Sequence, residues 1–163
     1  MQIAQRLYQG IDIEGETKGL ITYMRTDGTN ISKEALPVFR NFISDNFGNE
    51  YLPDQPINYS GKKAKNAQEA HEAIRPTEIS NTPEKMKKYL SSDQNKLYNL
   101  IWSRALSSQM TPAKFDRKTI IIESNNNENI FKSSGSTIVF DGFMKVINLD
   151  DDNNDENILP EVE

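Results

Sequence analysis

Along roughly the first 110 positions apolar residues recur mainly at three- and four-residue steps, whereas beyond Pro112 they fall into alternating and β-branched runs. The two spacings predict different elements. Ile3 and Leu7 lie four apart, so residues 3–8 read as the end of a helix. Residues 12–18 are polar with a glycine and read as a loop, and the apolar, β-prone residues 20–24 follow. Ser32 starts a helix whose apolar face is Leu36, Phe39, Phe42, Ile43 and Phe47; Pro37 falls early enough to be tolerated and Gly48 closes it. Residues 53–66, rich in proline, asparagine and lysine, read as an exposed, mobile, basic loop. Residues 68–75 read as a short helical segment stopped by Pro76, because the residue before a proline is pushed out of the α region. Pro83 begins another helix, with Met86, Tyr89 and Leu90 on one face. Asp93 caps the next, whose apolar set is Leu97, Leu100, Ile101, Ala105 and Leu106. Tyr98 and Trp102 lie among those residues and read as core rather than as stacking platforms.

After Pro112, "KTIIIE", "NIFKSS" and "STIVFDGFMKVI" read as strands separated by asparagine- and glycine-rich turns. The expected fold class is therefore α+β. It comprises a mainly helical domain over residues 1–112 and a partial β-strand segment over 113–163 that ends in a loose acidic tail.

The net charge of -5 at first argues against a nucleic-acid partner, since phosphate contacts need lysine and arginine. Its distribution reverses that argument. Residues 1–112 hold 14 Lys+Arg against 13 Asp+Glu (+1), and residues 113–163 hold 5 against 11 (-6), so the acidic excess belongs to the tail. The chain has no cysteine and one histidine, which excludes disulfides, thiolate metal sites and histidine-rich metal sites. A soluble protein of a reducing cytoplasm is expected, with no membrane partner: no apolar run approaches the roughly 18 residues of a membrane span, and the N-terminus lacks a signal pattern.

Candidate chemistry concentrates in "ITYMRTDG", residues 21–28. In an extended segment Tyr23 and Arg25, two apart, face the same way, whereas on a helix they diverge by roughly 200°. A tyrosine can serve as a covalent nucleophile, but with a pKa near ~10 it needs cationic neighbours that favour the phenolate. Arginine supplies that, and its planar fork can hold two oxygens of a phosphate as negative charge builds there. An aryl phosphate ester leaves readily, so such an attack on a phosphodiester is reversible and needs no ATP. The triplet by itself equally describes an ordinary strand tyrosine beside a surface arginine.

The second constellation is His71-Glu72-Ala73-Ile74-Arg75. It superficially suggests the zinc motif HExxH, but arginine occupies the place of the second ligand, so zinc is rejected. On a helix His71 and Arg75 share a face suited to a phosphate or a splayed base, or they bridge locally to Glu72 or Gln68. Lys62, Lys63 and Lys65 can touch a DNA backbone or remain solvated. In the tail Asp150, Asp152, Asn154 and Glu161 fall at positions 1, 3, 5 and 12 of a calcium loop; Asp155 stands where the sharp turn needs glycine, so no metal site is assigned.

Read in order, "GLITYMRTDGTNIS", "QEAHEAIRPT" and "KLYNLIWSRALSSQMTPAKFD" resemble the active-site region of bacterial type IA DNA topoisomerases, and the similarity runs over nearly the whole chain. Members of that family relax negatively supercoiled DNA by passing a strand through a transient single-strand break. The resemblance implies that Tyr23 attacks DNA and takes the 5′-phosphate, that Arg25 contacts the scissile phosphate, that Asp27 supports them, and that His71 and Arg75 look towards DNA. Gly28 departs from the serine that many members carry. Met24 stands where the decatenating branch has proline. The family's chemistry also needs a Toprim domain, whose acidic cluster binds Mg2+ and whose lysine assists the acid–base step. Nothing here matches that domain. The resemblance thus implies an excerpt of a larger, monomeric, nucleoid-associated enzyme, inactive without the rest of its polypeptide, with single-stranded DNA as partner and Mg2+ bound elsewhere. The rival reading is a non-catalytic helical DNA- or protein-binding module in which Tyr23 is structural.

Overall fold

A computed structural model of the chain describes residues 1–59, 71–123 and 129–147. The basic loop lysines, the start of the segment expected to be helical at 68–75, and the acidic tail with its calcium-like spacing lie outside the described residues. The chain divides into two compact units, Met1–Thr111 and Pro112–Glu163. The fold is α+β: among the described residues four α-helices occur with two small antiparallel sheets.

The first unit opens with α1 (Gln2–Gln9), which buries Leu7 and stops at Gly10, whose φ of 129° ends the helical path. The stretch expected to be a loop is instead a hairpin, β1 (Ile11–Ile13) paired with β2 (Glu16–Lys18). Glu14 and Gly15 both take positive φ at its turn, and the Asp12 carboxylate accepts the Gly15 N–H at 2.9 Å. Two residues with positive φ between short strands match the right-handed twist of a hairpin. Three-residue strands, one of them wholly polar and exposed, carry too little alternation to stand out in the sequence.

Helix α2 (Ala35–Phe47) buries Ala35, Phe39 and Ile43 at four-residue steps and ends at Gly48. Ser32 leads into it, its hydroxyl accepting the Ala35 N–H at 3.4 Å. It precedes the first helical residue by three, and its carbonyl accepts the N–H groups of Ala35 and Leu36. Helix α3 (Pro83–Met86) is a single turn, so Tyr89 and Leu90 lie beyond it.

Helix α4 (Ser92–Ser107) starts two residues earlier than a cap at Asp93 would place it. Ser91 caps it in a reciprocal box with Gln94, and Asp93 sits in the first turn. Its buried face is Tyr98, Trp102, Ala105 and Leu106, while Leu100, expected in the core, is 65% exposed. The aromatic heads explain the rotation. Trp102 donates to the Ile79 carbonyl at 2.9 Å and Tyr98 to that of Asn81 at 2.6 Å, so both rings turn towards the loop that leads into α3 and satisfy their polar ends there. Burial pushes the Tyr98 phenol well above its usual range, with Glu78 adding to the effect. Buried Gln109 completes the unit by pairing with both backbone groups of Ile57, at 3.2 and 3.0 Å.

In the second unit β3 (Lys114–Glu123) pairs antiparallel with β4 (Ile130–Phe140), with an irregularity at Lys114/Phe115. The second and third expected strands are parts of one strand, and residues Gly142–Lys145 form a 3-10 turn rather than its continuation. No described helix is long and apolar enough to cross a membrane.

The capping box predicts that Ser91→Ala will cost about 1 kcal/mol of stability, read as a lowered urea midpoint with unchanged slope. An unchanged midpoint would mean that the first turn of α4 is held by other contacts.

Candidate active site

The segment carrying Tyr23 is held by its neighbours on both sides. Leu20 and Ile21 are each 1% exposed, and the Leu20 N–H donates to the Leu7 carbonyl at the end of α1 at 2.8 Å. Residues 20–22 then run antiparallel to residues 75–77: the Thr22 N–H donates to the Arg75 carbonyl at 2.9 Å and the Thr77 N–H to the Leu20 carbonyl at 3.0 Å. This contact amounts to one bridge, Ile21 to Pro76, rather than the strand that the apolar run suggests, because the Arg75 N–H, which would extend the ladder to the Thr22 carbonyl, is taken by the Thr22 hydroxyl. Side chains supply what the backbone lacks. Thr22 Oγ1 donates to the Ala73 carbonyl at 2.9 Å and accepts the Arg75 N–H at 3.0 Å.

Residues 71–75 form neither a helix, as the sequence suggested, nor a strand. Their hydrogen bonds go across to Thr22 and, from the Ala73 N–H, to the Asn30 carbonyl at 2.9 Å. A four-residue helical spacing inside a segment limited by Pro76 could not compete with that partner.

In this frame Tyr23 is 46% exposed. Its ring packs edge-on against Tyr8, centroids 5.2 Å apart, and against the His71 ring at 5.8 Å. The Asp27 carboxylate oxygen Oδ2 joins Arg25 Nε at 3.0 Å to His71 Nδ1 at 3.1 Å. Tyr23, Arg25, Asp27 and His71 therefore converge at the surface, as does Tyr8, which the sequence reading placed in a helix end without a role. Met24 and Thr26 instead line a cavity of about 320 Å³ with Ile21, Ile74 and the exposed face of α4. Tyr23, Arg25 and Asp27 are thus exposed, while Met24 between them is half-buried against the cavity.

Arg75 does not join the cluster. Its side chain, 13% exposed, gives Nε to Glu72 Oε1 and Nη1 to the Pro76 carbonyl at 2.9 Å. Glu72 also accepts the Ser32 N–H at 2.9 Å, tying the approach to α2 to the 71–77 segment. Burial raises the Glu72 pKa, but the bonds from Arg75 and Ser32 outweigh it and hold the carboxyl below its ordinary value of 4.5.

Gly28 is forced by close approach. A Cβ built there would collide with the carbonyl oxygen of His71, so a serine at this position would have to displace backbone, not merely add a hydroxyl. Among the described residues no group of three or more His, Cys, Asp or Glu could hold a metal ion, so these residues do not fit a magnesium site.

With this arrangement established, comparison with known proteins places the chain in a family. The profile of the DNA topoisomerase family matches residues 1–163, and the chain belongs to that family. It is 51% identical to DNA topoisomerase 1 of Rickettsia felis over 98% of this chain and 21% of that protein, and 46% identical to that of Xylella fastidiosa (strain 9a5c) over 94% and 19%. The structure of full-length topoisomerase I from Thermotoga maritima matches all of this chain with a TM-score of 0.79 and 38% identity, over 25% of its own length. The chain spans about a fifth of the length of the curated relatives it matches.

The Glu72 network predicts a pH dependence. A carboxyl whose folded pKa lies below its unfolded value stabilises the fold above that unfolded value and loses the contribution as pH falls through the folded one. Thermal stability should therefore drop as pH is lowered from neutrality through 4.5 and below, and Glu72→Gln should be less stable at pH 7 with a flatter acid limb. Equal acid limbs in the two proteins would remove Glu72 as a contributor.

Proposed function

We propose that this chain carries the DNA-cleaving centre of a type IA DNA topoisomerase, with Tyr23 as nucleophile. The observation that carries the reading is an exposed phenol two residues from Arg25, whose guanidinium is oriented by Asp27, with His71 held by the same carboxylate. Asp27 engages Nε of Arg25, so its terminal nitrogens are the ones that hold two oxygens of the scissile phosphate. The Tyr23 phenol gives up its proton and its oxygen attacks phosphorus; the P–O3′ bond breaks, the 3′ oxygen takes a proton, and the 5′-phosphate stays on Tyr23. Religation is the reverse, the free 3′-hydroxyl displacing the phenol.

In this reading His71 and Asp27 face DNA beside the nucleophile, and Arg75 contributes from behind by fixing residues 75–77 against Leu20 and Thr22. Residues 1–112 form the tyrosine-bearing helical domain, and residues 113–163 form part of the flanking arch. In the complete protein the partner is a single-stranded segment of negatively supercoiled DNA. Magnesium belongs to a Toprim domain elsewhere in a longer, cytoplasmic, monomeric polypeptide. Relaxation combines cleavage, strand passage and religation.

The test exchanges this chain into DNA topoisomerase 1 of Rickettsia felis in place of its matching region. With magnesium and a single-stranded oligonucleotide labelled at its 3′ end, the chimera should form a denaturation-resistant labelled adduct and relax supercoiled plasmid. Tyr23→Phe should abolish both while DNA binding persists. Relaxation that survives Tyr23→Phe would sink the assignment and favour a binding module.

A further inference from the structure

We propose that Tyr8 is a positioning residue for Tyr23, forming one wall of an aromatic clamp whose other wall is His71. This inference rests on the reading of Tyr23 as nucleophile. An exposed tyrosine can occupy several side-chain wells, and only some of them present the phenol oxygen to a bound phosphate. Tyr23 has ring neighbours on two sides. Tyr8 meets it edge-on, at 5.2 Å and 62° between ring planes, and His71 lies at 5.8 Å and 45°. Two rings that do not stack flat on Tyr23 restrict its rotation while leaving it 46% exposed.

Both walls are set by backbone rather than by the rings themselves. On the Tyr8 side, the bond from the Leu20 N–H to the Leu7 carbonyl joins the end of α1 to the segment just before Tyr23. Gly19 allows this close approach, since a Cβ there would lie 2.7 Å from the Tyr8 carbonyl oxygen. On the His71 side, Gly28 plays the same part, because any Cβ would meet the His71 carbonyl. One glycine on each side of Tyr23 thus sets the spacing of the clamp. Tyr8 contributes little to the core: it is 42% exposed, and its neighbour Leu7 is the buried residue of α1. Its contact with Tyr23 is therefore available for orientation, and its ring lies outside the buried core.

The test has two arms. In the 163-residue chain, aromatic NMR should show cross-peaks between the Tyr8 and Tyr23 rings, with Tyr23 signals assigned by their loss in Tyr23→Phe. Tyr8→Ala should shift and average those signals, Tyr8→Phe should preserve them, and Gly28→Ser should alter the His71 side. In the Rickettsia felis chimera, Tyr8→Ala should slow single-turnover cleavage roughly three- to tenfold, the size expected for loss of one ring pair, with oligonucleotide affinity unchanged. Tyr8→Phe should restore the rate. Cleavage by Tyr8→Ala at the wild-type rate would overturn the proposal. Weakened affinity with an unchanged saturated rate would also overturn it and make Tyr8 a stacking surface for a base. If the unsubstituted chimera makes no adduct, the nucleophile reading fails instead, and the NMR arm still decides whether the clamp exists.

Discussion

The site depends on a short antiparallel contact between residues 20–22 and 75–77. Two stretches more than fifty positions apart meet there through the N–H groups of Thr22 and Thr77, and the Thr22 hydroxyl extends the contact past Pro76 to Ala73 and Arg75. Beyond the contact, Tyr23 meets the His71 ring and Arg25 is joined to His71 through Asp27. Leu20 and Ile21 anchor the contact from beneath by burial, each removed almost entirely from water. A β-prone run alone could not place these groups, since nothing in it specifies which segment it pairs with.

Electrostatics orient the site more than they stabilise it. The pairs from Asp27 to Arg25 and His71 are substantially exposed, and pairs of that kind contribute little to folding. Their loss should therefore change the fold's stability little. The Arg75–Glu72 pair is the opposite case: it is more buried, shares a backbone donor from Ser32, and leaves Arg75 committed to structure. The two arginines of the motifs thus divide the work, Arg25 towards the surface and Arg75 towards the scaffold.

Much of this was legible in the sequence. The helices came from apolar periodicity that tertiary packing did not oppose, as at Phe39 and Ile43, and Tyr98 and Trp102 were recognisable as core from their apolar neighbours. The motifs around Tyr23 suggested phosphate chemistry only through their joint resemblance, in order, to a topoisomerase active-site region, since the triplet alone also describes an ordinary tyrosine beside a surface arginine. What was hidden depended on distant partners. The non-helical path of residues 71–75 required Thr22, the rotation of α4 that exposes Leu100 required the carbonyls of Ile79 and Asn81, and the β1–β2 hairpin rests on backbone pairing with almost no side-chain signal. Tyr8 could have been flagged only by noticing that it follows Leu7 on the exposed side of a helix end. Gly28 was visible as a departure from its relatives, but its reason, the His71 carbonyl, is a fact of three dimensions.

Amide hydrogen exchange at Thr22 and Thr77 tests the central claim most directly. If the contact between residues 20–22 and 75–77 seats the site, both amides should be protected and should lose protection together in Thr22→Val, which removes the hydroxyl bonds to Ala73 and Arg75. Exchange of either amide at the rate of an open loop in the unsubstituted protein would contradict the account, because Tyr23 and His71 would then have no common scaffold.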